Sequence, residues 1–159
     1  MVTKRHNAGW LLTARIAAAL ALIAVGGDHL YEYTVDYYSA IPTIGVLFLL
    51  NAIGGFGLGA ATLVPLDPFL ARRTAFRATA VIAAAGITLA AFSLVALFIS
   101  EGTPLFGFME SGYRTSIVIA IIAEVAAIVF LVAVVLLAER DVNRGRVRLS
   151  PAARPAPPV

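Results

Sequence analysis

A chain of 159 residues that is 60% hydrophobic and 13% charged, with a mean hydropathy of +0.92, lies far from soluble proteins, where roughly half the residues are apolar and about a quarter charged. It reads as an integral membrane protein whose twelve Lys and Arg flank apolar runs instead of forming a basic face, which excludes nucleic acid as a partner. The absence of cysteine excludes thiol redox relays, cysteine nucleophiles, thiolate metal sites and disulfides.

Residues 1–9 carry Lys4, Arg5 and His6 and read as a polar segment ahead of the first span. Trp10 then opens an apolar run to about residue 30, long enough at 1.5 Å per residue for a hydrocarbon core of about 30 Å. Arg15 lies one turn inside, within snorkelling reach of the headgroups. A polar, aromatic turn follows, and Pro42 suits the first turn of a second helix, where its missing N–H has no intrahelical partner to lose. That helix is expected over residues 43–66, with Pro65 and Pro68 ending it and Arg72, Arg73 and Arg77 forming a basic loop. Gly55 and Gly59 stand at the spacing that lets two helix backbones approach closely in lipid, and Asn51 shares their face.

A third span is expected over residues 78–100, where Thr88 and Ser93 are able to return hydrogen bonds to their own preceding turn and so read as scaffold. The longest internal loop follows, with Phe106, Phe108 and Tyr113 placed for the headgroup level. Residues 116–138 form the fourth span, in which Glu124 stands alone. From residue 139 the chain is basic and then proline-rich, ending PAARPAPPV, and reads as a disordered tail lying against anionic lipid headgroups. Short loops force neighbouring spans antiparallel, so the expected fold is all-α, an up-down-up-down membrane-spanning bundle of four helices over residues 10–138. Small residues propose the inward stripes: Ala17, Ala21, Ala24 and Asp28 on the first helix, and Ala120, Ala123, Glu124 and Ala127 on the fourth.

Eleven of the twelve Lys and Arg fall beside the termini and the middle loop, and only Arg114 falls on the other side. By the positive-inside rule both termini face the cytoplasm, in a protein of the cell membrane. The opposite side collects Asp28, Glu32, Asp36, Glu101, Glu110 and every tyrosine, an acidic mouth within an aromatic belt.

The candidate intramembrane polar site is His29, Asn51 and Glu124. Asn51 and Glu124 each lie about eight residues, or ~12 Å, below the start of their helices, with His29 one or two turns above them. Glu124 is expected to point into the bundle as the neutral acid, with Asn51 as its partner, because an unpaired charge in a span is costly. Asp28, His29 and Glu32 form only a weak candidate metal cluster, since one histidine with two carboxylates is more often the chemistry of a solvated interface. No cofactor is expected: His29 and His6 stand near opposite ends of the first helix and cannot hold a haem between them, and no hydrolase, phosphate-loop or metalloprotease motif is present.

Residues 29–51, HLYEYTVDYYSAIPTIGVLFLLN, resemble a group of small actinobacterial-type four-helix integral membrane proteins with the pattern His-Leu-Tyr, a gap containing Tyr, then Ile-Pro-x-Ile-Gly-x-Leu-Phe-Leu-Leu-Asn. His29, Leu30, Tyr31, Ile41, Pro42, Ile44, Gly45, Leu47, Phe48, Leu49, Leu50 and Asn51 carry the match. The resemblance implies the four-span fold and places His29 and Asn51 in the group's common pattern, and it brings no activity with it.

The leading functional expectation is a non-enzymatic protein acting through helix contacts, as the small subunit of a larger complex or as a homo-oligomer. The alternative is a pathway for protons, cations or a small ligand, with Glu124 as the titrating group beneath the acidic mouth. A third reading is a quinone-binding or enzymatic site at His29 and the tyrosines. A dry Asn51–Glu124 pair would favour contacts, and a cavity running from Asp28 to that layer would favour a ligand or ion.

Overall fold

The computed structural model describes residues 2–110, 112 and 114–149. Its architecture is four helices, α1 (Val2–Thr34), α2 (Pro42–Leu63), α3 (Arg72–Gly102) and α4 (Thr115–Leu149), with a 3₁₀ turn at Tyr38–Ala40. Each helix contains a stretch long and apolar enough to cross a membrane: Gly9–Thr34, Pro42–Leu63, Arg72–Gly102 and Thr115–Arg144. The helices form a ring in chain order, α1 against α2 and α4, and α3 against the same two. This is the membrane-spanning up-down-up-down bundle expected from the short connections.

Helix limits depart from the sequence reading for identifiable reasons. The first helix begins at Val2 and ends at Thr34, and α4 continues through the first eleven residues, 139–149, of the expected disordered tail. Once a helix is nucleated, each further residue adds a hydrogen bond at small cost, and Glu139 to Leu149 contains no proline to stop it. The rest of the proposed tail, residues 150–159, lies outside the described residues. Helix α2 stops at Leu63, three residues early, because Val64 precedes Pro65 and is driven to an extended conformation (φ −63°, ψ 120°). Helix α3 starts at Arg72, so the three loop arginines belong to its first turns, and Arg72 Nη2 pairs with Asp141 Oδ2 of α4 at 2.6 Å. Arg15 does not simply snorkel: its Nη2 donates to Val64 O at 3.1 Å, placing a cation on the carbonyl end of α2.

The tightest seam joins α1 to α2. A Cβ placed on Gly55 would lie 2.7 Å from both Gly26 N and Leu22 O, and one on Gly59 would lie 3.2 Å from Ala19 O. The glycine pair therefore faces α1 within the bundle, not another protomer or lipid. Ala18, Leu22 and Val25 of α1, Ala90 of α3, and Ala127 and Leu131 of α4 are fully buried and make the core. Helix α1 is rotated from the expected stripe: Ala14, Ala18, Ala21, Val25, His29 and Glu32 are buried, whereas Ala24 is exposed. On α4 the expected face holds, with Ala123, Glu124 and Ala127 buried. Helices α2 and α3 share the thinnest contact of the four neighbouring pairs, which leaves room between them.

Candidate functional site

Helical periodicity carries His29 and Glu32 of α1 onto the same buried face as Val25, at i+4 and i+7. That face borders a cavity of about 380 Å³ in the half of the bundle nearest the 3₁₀ turn. Asp28, His29 and Glu32 of α1, Asn51 of α2 and Glu124 of α4 all line it. The candidate polar residues thus meet around one space, not as a hydrogen-bonded pair. Most of the wall is apolar, including Ile44, Leu47, Phe48, Leu89, Phe92 and Ile117. The exposed members of the lining, Leu47, Leu50, Thr88 and Phe92, all belong to α2 and α3, so the cavity opens sideways at their seam.

At the closed side, His29 Nδ1 lies 2.9 Å from Val25 O and Nε2 lies 3.0 Å from Ser93 Oγ. A carbonyl only accepts, so Nδ1 carries the hydrogen and, in the neutral ring, Nε2 accepts from the Ser93 hydroxyl. Nε2 is also 3.9 Å from Glu124 Oε1. His29 consequently works at the level of Glu124, not one or two turns above it. The expected Asn51–Glu124 hydrogen bond is absent: both carboxyl oxygens of Glu124 are buried without a hydrogen-bond partner. Ser93 is its neighbouring hydroxyl but stands outside hydrogen-bond geometry. The metal reading gains nothing, since among the described residues no three His, Asp or Glu side chains come close enough to share an ion.

The end of the cavity facing the loops is roofed by Tyr38. Tyr37 adopts a left-handed conformation (φ 64°, ψ 18°), an uncommon state for a non-glycine residue, and turns the chain back over α2. Gly45 accommodates it, because a Cβ there would lie 2.9 Å from Tyr38 O. The Tyr38 ring then stacks on Phe48, centroids 4.7 Å apart, and meets the Phe108 ring edge-on at 5.2 Å. Phe108 reaches inward because Phe106 and Gly107, with φ 52° and 81°, make a tight turn closed by the Leu105–Phe108 backbone pair. Tyr38 is therefore buried and is not part of an aromatic belt, whereas Tyr31 and Tyr37 are exposed. Tyr113 lies outside the described residues.

The roof also closes the acidic mouth. Tyr38 donates to Glu110 Oε2 at 2.5 Å and accepts from Arg114 Nη2 at 2.7 Å. Arg114 further pairs with Asp36 at 2.8 Å, Glu32 at 3.4 Å and Glu110 at 3.6 Å. Burial, reinforced by the Glu110 hydrogen bond and charge, raises the Tyr38 phenol above its usual range, so it stays a donor. One cation thus ties three carboxylates and a phenol into a lid.

Sequence reasoning missed Ser93, Tyr38 as a roof, and Arg114 as its clasp. Ser93 offered a weak signal, a hydroxyl in an otherwise apolar span; Arg114 offered a better one, as the single cation of its side. No family model matches the chain, and no curated protein or solved structure matches it.

Proposed function

We propose that this protein binds a small lipophilic molecule that enters from the bilayer between α2 and α3 and turns its polar end towards His29, Ser93 and Glu124. The observation that carries the reading is the cavity itself, about 380 Å³ with apolar walls and a few convergent polar groups, within the ~300–1,000 Å³ typical of small-molecule sites. A purely structural lock would instead pair its buried polar atoms, and Glu124 is left unpaired. The same reading places the protein in the cell membrane with both termini cytoplasmic and the Tyr38–Arg114 lid outside, supported by the eleven-to-one partition of Lys and Arg. The arginine-bearing end would then lie against anionic headgroups, each nearby Arg contributing about 1 kcal/mol at low salt.

The test is binding of anthracene, followed by its fluorescence, to protein in zwitterionic nanodiscs. Ala120 lines the cavity, and Ala120→Phe should fill it and weaken the saturable signal by about tenfold or more, equivalent to losing most of one ring's burial. Equal saturable binding by the wild type and a folded Ala120→Phe variant would remove the cavity from the account.

A further inference from the structure

The hydrogens at the closed side of the cavity are already committed. His29 Nδ1–H goes to Val25 O, the Ser93 hydroxyl faces His29 Nε2, and the Tyr38 hydroxyl goes to Glu110. Among the lining side chains that are nine-tenths or more buried, what is left over is of one kind. Glu124 Oε1 and Oε2 and Glu32 Oε1 are buried without hydrogen-bond partners, in side chains that line the cavity and belong to residues 1% and 3% exposed. Asp28 adds a third carboxyl to the same lining. Among the described residues no Lys or Arg lines it, and Arg114 points to the lid, held by Asp36, Glu32, Glu110 and Tyr38. The deeply buried part of the lining is therefore rich in acceptors, with the half-buried Asn51 amide and the exposed Thr88 hydroxyl as the donors nearer the opening, inside an apolar wall that includes Phe48, Phe92 and Phe108.

We propose that the ligand is a lipophilic ammonium ion bearing at least one N–H, which Glu124 holds as a carboxylate in exchange for a proton. This inference rests on the cavity being a ligand site. An unpaired carboxylate is costly in a membrane interior, so the empty site carries its proton on Glu124. At the bilayer surface R–NH₃⁺ gives one proton to water and enters as the neutral amine; in the cavity the Glu124 carboxyl O–H bond breaks, its proton forms a new N–H bond, and the carboxylate accepts from the ammonium so formed. Charge balances, one proton released to water for each ammonium bound, and the apolar part of the ligand lies along α2 and α3. The groups able to modulate this exchange are Asp28, His29 and Glu32 from α1, and Glu110 and Arg114 from the lid; α2 and α3 contribute only the neutral Asn51, Thr88, Ser93 and Ser100 to the lining.

Calorimetric titration in zwitterionic nanodiscs at pH 7 tests this with three probes of similar shape, 4-phenylbutylammonium, 4-phenylbutan-1-ol and 5-phenylpentanoate. The ammonium should bind about tenfold or more tightly than the alcohol, as a charge-assisted hydrogen bond requires, and the carboxylate should not bind. Repeating the titration in buffers of different ionisation heat should show about one proton released per ammonium bound. In Glu124→Gln the preference for ammonium over alcohol should collapse and the proton release vanish, with thermal unfolding confirming the fold; Glu124→Asp should retain both. Equal binding of ammonium and alcohol overturns the cationic ligand while leaving the cavity reading intact. Ammonium preference without proton release overturns the exchange. Failure of all three probes together with anthracene removes the ligand site itself.

Discussion

His29 Nε2 stands 3.9 Å from Glu124 Oε1, and Ser93 Oγ lies 3.0 Å from the same nitrogen. The serine therefore sets which hydrogen the imidazole keeps, and so what the ring presents to the carboxyl group. With Nδ1–H fixed on Val25 O, Nε2 is an acceptor that needs the Ser93 hydroxyl. Ser93→Ala should leave it unsatisfied and lower stability by ~1–3 kcal/mol. Nitrogen-15 spectra of the wild type should show the hydrogen on Nδ1 at neutral pH. A hydrogen found on Nε2 instead would contradict the orientation assigned to Ser93.

The architecture was legible because a span is a property of composition: apolar runs of sufficient length, broken by Pro42, Pro65 and Pro68, gave four helices and their order. The polar lining was legible for the same reason, since Asn51 and Glu124 stand out in hydrocarbon sequence. Rotation about each axis was not. Spans that are apolar all round leave no moment to orient them, so the small-residue stripe on α1 was misplaced and Ala24 proved exposed. Convergence of distant loops was equally hidden: Arg114 reaches Tyr38 across 76 residues, and neither residue's neighbourhood in sequence announces the other.

Two glycines of one helix should differ measurably. A Cβ on Gly55 would press on backbone atoms of Gly26 and Leu22 at 2.7 Å, which cannot swing aside. A Cβ on Gly59 would meet the Ile23 side chain at 3.1 Å and Ala19 O at 3.2 Å, contacts relieved by a shift of a few tenths of an ångström. Gly55→Ala should therefore cost ~1–3 kcal/mol, the range for overpacking a filled interior, and Gly59→Ala less. Thermal unfolding of the two variants in one detergent gives the order; a reversal would mean that α1 and α2 do not meet at Gly26.

The lid has a signature at alkaline pH. The Tyr38 phenol is raised above its usual value by burial first and by Glu110 second. Because the fold favours the protonated form, its contribution is fully present below the unfolded value of about 10 and is lost as pH rises from there through the folded value. Absorbance titration of tyrosinate should show a late-titrating phenol in the wild type that is missing from Tyr38→Phe. The same variant should unfold less steeply with rising pH above about 10. If Tyr38→Phe removes a phenol that titrates with the ordinary ones, Tyr38 is not closed in by Glu110 and Phe108.

Orientation in the membrane is open to a direct test, because the chain contains no cysteine and any introduced thiol reports alone. Ser39, in the 3₁₀ turn of the lid, and Phe69, between α2 and α3, are both exposed and lie at opposite ends of the bundle. Among the described residues, apart from Arg114, which the lid acids neutralise, every Lys and Arg belongs to the end that holds Phe69 or to the segments flanking it. In the proposed orientation, with unpaired cations retained in the cytoplasm during insertion, Phe69 is expected inside and Ser39 outside. In intact cells a membrane-impermeant maleimide should label Ser39→Cys and spare Phe69→Cys until the cells are opened. The opposite pattern would invert the protein, put the lid and its acids in the cytoplasm, and require the lateral opening between α2 and α3 to be reached from the inner leaflet.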